Sequence, residues 1–445
     1  MKKIFDKGLS ILALAVLAMS AHAAPDAKRE HSVLFLAFVA ALGGILFGYD
    51  TAVISGTISA VADRFSLDAM SKGWYVGCAL VGSIGGVAVA GWLSDRFGRK
   101  PTMLFSSVLF SVSAIGCALC FGFADLVVYR IVGGVGIGIV SIVSPVYITE
   151  ISPPARRGTM VSLYQFAITL GFVLAYLVNY LILVNLHVAD LWRVMLGAEA
   201  VFTLLFFAVI FFIPESPRWL ALRAEGASVS RRIPWGELAK PGIVKAVLIG
   251  CAIAVLGQFM GVNAVLYYGP EIFADAGFAA KESSFSTVLV GLVNMLSTIL
   301  AVFLMDRAGR KALVYFGVSL MIACLVTIGV FFRLHVMGVA FVAVFLAYIF
   351  AQAISISAVV FVLLSEMYPD KVRGVAMSIA GLSLWVGTFL IGQFTPWCMA
   401  TLGSSGTFFF FAAMCLPYLF IIWRLVPDTT GKSLEEIESC WTASR

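Results

Sequence analysis

Charge is scarce in this sequence. Only 12% of its 445 residues are Asp, Glu, Lys or Arg, against about 25% in ordinary soluble domains. Hydrophobic residues make up 61%, and mean hydropathy is +1.02. A soluble fold of this size would leave much of that apolar area in water, which excludes nearly all cytosolic enzymes. Cysteine pairing is also missing. The eight cysteines are scattered singly, mostly inside apolar runs (Cys78, Cys251, Cys324, Cys415). Cys117 and Cys120 share an apolar segment, so they read as packing and not as a disulfide framework. No His/Cys cluster has metal-ligand spacing, and no Ser/His/Asp set suggests hydrolysis. Gly431-Lys432-Ser433 lacks the upstream glycine of a P-loop, and Gly134-x-Gly136 follows no strand, so phosphate loops are absent too.

What the chain does have is long apolar runs. Each is enough for the roughly 20 residues that cross a bilayer as helix. A β-barrel would need alternating segments of about ten residues. The runs are twice that length and continuous, so helices are expected. Twelve spans are expected, at about 33–60, 74–93, 101–121, 125–149, 159–183, 193–213, 243–272, 285–305, 312–332, 336–367, 374–399 and 406–426. Of the 30 Lys and Arg, 24 fall before the first span, in the even-numbered loops or in the tail. Five (Arg64, Lys72, Arg193, Lys281, Arg333) fall in odd-numbered loops and their helix ends, and Arg130 lies inside the fourth span. Positive residues stay cytoplasmic, so both bundle termini are expected inside. The net charge of +6 is then topological, with no nucleic-acid patch. Residues 1–24 conflict with this. Lys2 and Lys3, the apolar Leu9 to Met19, and Ala21-His22-Ala23 read like a secretory leader. Three explanations stand: a misassigned start or fused leader, an uncleaved interfacial helix, and a real leader that is overridden.

The cytoplasmic loops repeat. Gly91-Trp92-Leu93-Ser94-Asp95-Arg96-Phe97-Gly98-Arg99-Lys100 recurs as Phe303-Leu304-Met305-Asp306-Arg307-Ala308-Gly309-Arg310-Lys311. Glu150 to Arg157 recurs as Glu366 to Arg373, and Pro214-Glu215-Ser216 as Pro427-Asp428-Thr429. The offsets are 211 (Asp95 to Asp306), 216 (Glu150 to Glu366) and 213 (Pro214 to Pro427) residues. Three motifs in order at a near-constant offset imply two six-helix halves of the same topology. Parallel repeats of this kind belong to transporters that hold cargo between the halves near the midplane. The organisation expected is a leader-like segment 1–30, bundles at 31–213 and 243–427, a short cytoplasmic linker 214–242 and a tail 428–445. In each loop the glycine lets the chain reverse. The aspartate is placed to cap the next helix or meet an arginine. Asp95, Arg99, Glu150 and Arg157, with Asp306, Arg310, Glu366 and Arg373, are therefore expected to form a cytoplasmic gate that bonds when the inner side is closed.

These motifs, with others, resemble the sugar porter branch of the major facilitator superfamily over roughly residues 33 to 440. The resemblance includes Gly43-Gly44-Ile45-Leu46-Phe47-Gly48-Tyr49-Asp50, and Tyr129-Arg130 with Gly133, Gly134, Gly136 and Gly138. It extends to Pro214-Glu215-Ser216-Pro217-Arg218-Trp219-Leu220, to Gln258-Phe259-Met260-Gly261-Val262-Asn263 with Tyr267-Tyr268, and to Pro427-Asp428-Thr429-Thr430-Gly431-Lys432. It implies an all-α membrane protein of twelve helices in two bundles, alternating access and a monosaccharide cargo, hexose or pentose. It also implies a bacterial inner-membrane location among lipid, a monomer, no enzyme activity and no cofactor beyond protons as coupling ion.

Two charges lie inside the spans. An aspartate near the bilayer centre costs about 2.5–3.5 kcal/mol. Rising 1.5 Å per residue from the inside, Asp50 sits ~25 Å along the first span, and Arg130 ~8 Å in from the outside on the fourth. Their depths coincide, so they are expected to meet. A carboxylate beside a movable guanidinium is a proton switch. In the family, proton-coupled porters resemble this sequence in carrying an aspartate here, and passive carriers usually have a neutral residue. Proton symport follows. A passive sugar or polyol facilitator and a non-transporting sugar sensor are the alternatives.

Sugars are bound by amides, which donate and accept at once, and by aromatic faces. Gln165, Gln258, Asn263, Tyr267 and Asn294 are candidates, with Phe47, Phe361 and Trp385 as aromatic surface; the family pattern favours Gln165, Gln258 and Asn263. Gly257 stands where the family usually has a first glutamine. Ser357-Ala358-Val359-Val360-Phe361 replaces a G-P-x-x-W, and Leu384 precedes Trp385 where a glutamine is common.

Overall fold

The computed structural model describes residues 25–153, 157–224, 235–336, 338–369 and 372–426. Among the described residues there is helix and no strand. Long apolar helices cover Val33–Gly56, Ala69–Phe97, Arg99–Leu119, Phe123–Ile151, Thr159–Asn185 and Leu191–Ile210 in the first half. In the second half they cover Pro241–Asp275, Ala280–Ala301, Arg310–Leu334, Val339–Leu364 and Arg373–Arg424. The last has 52 residues. At 1.5 Å per residue it would be ~78 Å long, far more than a bilayer core of ~30 Å. Gly403, with φ +69° and ψ 167°, breaks it in two. The break makes twelve spans and falls between the expected ends at 399 and 406.

The repeat seen in the loops recurs in the packing. In the first half span 1 packs on span 5, span 2 on span 4, and span 3 on spans 4 and 6. In the second half span 7 packs on span 11, span 8 on span 10, and span 9 on spans 10 and 12. Between the halves, span 2 meets span 11 and span 5 meets span 8. Exchanging the halves exchanges these two contacts, as a two-fold axis along the membrane normal requires.

Small residues set the distances. A Cβ on Gly134 or Gly138 of span 4 would lie 1.9 Å from the Ala79 carbonyl oxygen or 2.2 Å from that of Ser83. Gly82 and Gly86 answer from span 2, where a Cβ would meet the carbonyl oxygens of Ile131 and Val135. The glycines of span 4 thus bring two helix backbones together. The described cysteines are free thiols, most of them buried.

Two features interrupt the second half. Span 7 breaks at Met260–Gly261 into Pro241–Phe259 and Val262–Asp275. Span 10 carries a π-helical turn, Ala353–Ser357, that ends just before Ala358. Gln352 Nε2 donates to Ser357 Oγ at 2.7 Å across it. Among its described residues the linker holds two short helices, Pro217–Ala224 and Trp235–Leu238. The leader-like residues 1–24, linker residues 225–234 and the tail 428–445 lie outside the described residues.

Candidate functional site

Asp50 and Arg130 meet. Arg130 Nη1 donates to Asp50 Oδ1 at 2.6 Å, and the side chains are 3% and 1% exposed for Arg130 and Asp50. Gly133, three residues after Arg130, lets span 3 pack closely there; a Cβ on it would stand 2.4 Å from Ser113 Oγ. A third ionisable group completes the cluster. Glu199, on span 6, is 2% exposed and lies within electrostatic reach of both Asp50 and Arg130. Tyr49 is fully buried and lies within reach of Glu199 in turn. Asp50 Oδ2, Arg130 Nε, Glu199 Oε1 and Tyr49 Oη all lack a hydrogen-bond partner. Two carboxyls and one guanidinium carry a net −1 when all are ionised. One added proton would make this buried cluster neutral. Glu199 was missed in the sequence. Its signal was that of Asp50: a lone carboxyl in an apolar span.

The polar residues of span 7 meet at its break. Gly261 takes φ +89° and ends the first segment. Tyr348 Oη donates to the Met260 carbonyl at 2.8 Å, satisfying a backbone group that the break frees. Asn263 Nδ2 then donates to Gln258 Oε1 at 2.6 Å, and Thr388 Oγ1 of span 11 reaches the same oxygen at 3.2 Å. Thr388 was not expected. Gln258 and Asn263 are half-buried, with donors and acceptors to spare. Across the halves, Phe47 stacks on Trp385 with ring centroids 5.7 Å apart and planes 27° apart. Tyr267 and Asn294 are buried, while Gln165 is exposed on span 5. No described contact joins these three residues to the Gln258–Asn263 pair. The side chain of Phe361 lies outside the described ones. A Cβ on Gly257 would lie 3.5 Å from Ile356, in ordinary contact.

At the end of the first half that carries the loop motifs, Arg99 is the hub. Its Nη2 and Nε bond Glu150 Oε1 and Oε2 at 2.8 and 2.9 Å, and its Nη1 bonds Asp95 Oδ1 at 3.0 Å. Asp95 pairs with arginine and does not cap span 3. The capping is done by Glu215, whose Oε1 accepts the backbone N–H of Arg99 at 2.9 Å. Ser216 Oγ donates to Glu150 Oε2 at 2.5 Å, and Trp219 Nε1 donates to the Asp95 carbonyl at 2.9 Å. The Pro214–Leu220 motif is thus stitched into the loop motifs. The second half repeats one stitch: Lys100 Nζ donates to the Phe211 carbonyl, and Lys311 Nζ donates to that of Val426. Arg373 Nε donates to the Tyr368 carbonyl at 3.2 Å, and Arg310 is engaged as well. The side chains of Arg157, Asp306 and Glu366 lie outside the described ones.

At the opposite end, polar contacts join the two halves. Ser59 Oγ donates to Glu271 Oε1 at 3.1 Å, and Lys72 Nζ lies 3.7 Å from the same oxygen. Gln393 Nε2 donates to the Met70 carbonyl at 2.9 Å, and Tyr176 Oη to that of Leu266 at 2.7 Å. These four contacts tie the two halves together at this end.

The chain is similar to known proteins. Residues 36–233 and 222–441 each match the family model described as Sugar (and other) transporter, once per half. The Arabinose-proton symporter of Bacillus subtilis (strain 168) is 37% identical, with 93% of this chain and 96% of that protein covered. The D-xylose-proton symporter of Escherichia coli (strain K12) is 34% identical, with 94% and 97% covered. Among solved structures, the inward open conformation of the xylose transporter XylE from E. coli superposes with a TM-score of 0.81 at 33% identity. That match covers 92% of this chain and 100% of that one.

Proposed function

Because this chain belongs to the sugar (and other) transporter family, within the sugar porters of the major facilitator superfamily, we propose that it carries a monosaccharide and a proton inward together by alternating access. It is a multi-pass membrane transporter and not an enzyme. The observation that carries the coupling is the buried Asp50–Arg130 pair at 2.6 Å, with Glu199 beside it. A proton arriving from outside neutralises a carboxyl and loosens its hold on the guanidinium; its release inside restores the pair. The cargo is a pentose or hexose, held by Gln258, Asn263 and Thr388 with Phe47 and Trp385 against its apolar face. Gln165, Tyr267, Asn294 and Phe361 contribute from the surrounding spans. The 24-to-5 placement of Lys and Arg supports cytoplasmic ends for both bundles in a bacterial inner membrane. A single chain, bathed in lipid, is the transport unit, with protons as coupling ion and no cofactor.

A membrane potential of 100 mV is worth about 2.3 kcal/mol per charge, enough for roughly fifty-fold accumulation. The test is uptake into proteoliposomes of a panel including arabinose, xylose, galactose and glucose, with and without an imposed pH gradient. Accumulation that needs the gradient is expected, and Asp50→Asn should abolish it while sugar exchange continues. Gradient-independent equilibration of every transported sugar would make the protein a passive facilitator.

A further inference from the structure

We infer that Glu271 is the latch residue of the outer side. It positions the outer segment of span 7 against the first half and so sets how often the path opens outward. This rests on the alternating-access reading above. Span 7 runs outward from Pro241, and its break at Gly261 separates an inner segment from an outer one. Asn263 sits two residues beyond the break, and Glu271 lies ~12 Å further along the same helix at 1.5 Å per residue. The outer segment therefore carries a sugar-facing amide near its hinge and a carboxylate near its far end. That carboxylate takes two partners from the first half, which come from different elements. Ser59 belongs to the short helix Ile58–Phe65 that follows span 1, and Lys72 to the first turn of span 2. The Lys72 and Glu271 side chains are 32% and 17% exposed, so the contact is at the rim and can exchange with water.

The other outer contacts between the halves use neutral donors on backbone carbonyls, Gln393 on Met70 and Tyr176 on Leu266. Glu271 brings an ionised acceptor, and charge-assisted bonds are the stronger kind. Opening the outer path must separate Glu271 from Ser59 and Lys72. A sugar that engages Asn263 acts on the same continuous helix, Val262–Asp275, so cargo at the hinge and the latch at the rim are mechanically joined.

The experiment is hydrogen exchange on the full-length protein in nanodiscs of phosphatidylethanolamine and phosphatidylglycerol, read at peptides covering residues 54–72 and 262–275. Glu271→Gln should speed exchange at both by about two- to five-fold, the range expected for one partly exposed ion pair. Ser59→Ala, which keeps both charges, should give a smaller increase at the same peptides. The charge swap Lys72→Glu with Glu271→Lys should return exchange to the wild-type rate. Unchanged exchange in Glu271→Gln, or a swap that fails to restore it, overturns the latch. Exchange reports the latch whichever sugar is carried. Faster exchange in a protein with no gradient-driven uptake would therefore uphold the latch and refute the coupling.

Discussion

Gln258 and Asn263 meet across a break in their helix and not along it. Five residues apart on a straight helix they would point about 140° away from each other, yet Asn263 Nδ2 donates to Gln258 Oε1 at 2.6 Å. Gly261 makes this geometry. Its φ of +89° is one that L-residues adopt with strain, and a Cβ there would stand 2.3 Å from Phe411. Gly261→Ala should therefore disrupt the amide pair, with the backbone strain costing about 1–2 kcal/mol and the overpacking about 1–3 kcal/mol. A lowered thermal midpoint together with weakened sugar binding by calorimetry is the expected outcome. Gly257→Ala, placed in ordinary contact distance, should leave stability within about 1 kcal/mol.

The Arg99 hub has two carboxylate partners of unequal value. The side chains of Arg99 and Glu150 are 6% and 7% exposed, whereas that of Asp95 is 42% exposed. Removing one member of a buried pair costs about 3–5 kcal/mol, and an exposed pair is worth about 0–1 kcal/mol. Glu150→Gln should lower thermal stability sharply, and Asp95→Asn only slightly. Equal effects would show that the rim is not organised around the bidentate bond.

Close packing of spans 2 and 4 gives a contrast between two glycines. Gly134→Ala would push a methyl group to 1.9 Å from a backbone carbonyl oxygen, and nothing lies within 4 Å of a Cβ on Gly85. The first change should destabilise by about 1–3 kcal/mol. The second should be neutral or mildly stabilising, by up to about 1 kcal/mol, because alanine favours helix over glycine. Thermal unfolding of the two variants in the same detergent measures the difference.

Asp68 caps the start of span 2, its Oδ1 accepting the Ser71 N–H at 2.9 Å. Hydrogen bonds from Ser71 hold this exposed carboxyl below its ordinary value. A lowered folded-state pKa means that the cap's contribution is present above the unfolded value and is lost as pH falls through the folded one. Protection of the Ser71 amide, taken relative to its intrinsic exchange rate at each pH, should hence be insensitive to this group between pH 7 and pH 5 and fall only in stronger acid. Any pH dependence of uptake in the neutral range has to come from elsewhere.

Much of the architecture was legible because hydropathy and charge report it directly. Apolar runs mark the spans, and the matching loop motifs mark the halves. A depth count along two helices was enough to bring Asp50 to Arg130. The misses have physical causes. The cap of span 3 comes from Glu215, 116 residues beyond Arg99, and no local pattern announces a partner that distant. Thr388 was hidden because a threonine in a span usually bonds its own helix. It does so here too, donating to the Leu384 carbonyl while also reaching Gln258. Glu199 could have been read, since one carboxyl in an apolar span demands a reason. Where the backbone leaves helical geometry, at Gly261, Gly403 and Ala353–Ser357, only Gly261 and Gly403 carry glycine's usual mark.

The stacked rings of Phe47 and Trp385 bear on how the halves can move at all. Their contact is face to face, 27° from parallel, and its attraction is dispersive and tolerant of offset. Hydrogen bonds fail abruptly with angle; stacked faces can slide. A contact of this kind between the halves would let each bundle tilt on the other without first breaking a directional bond.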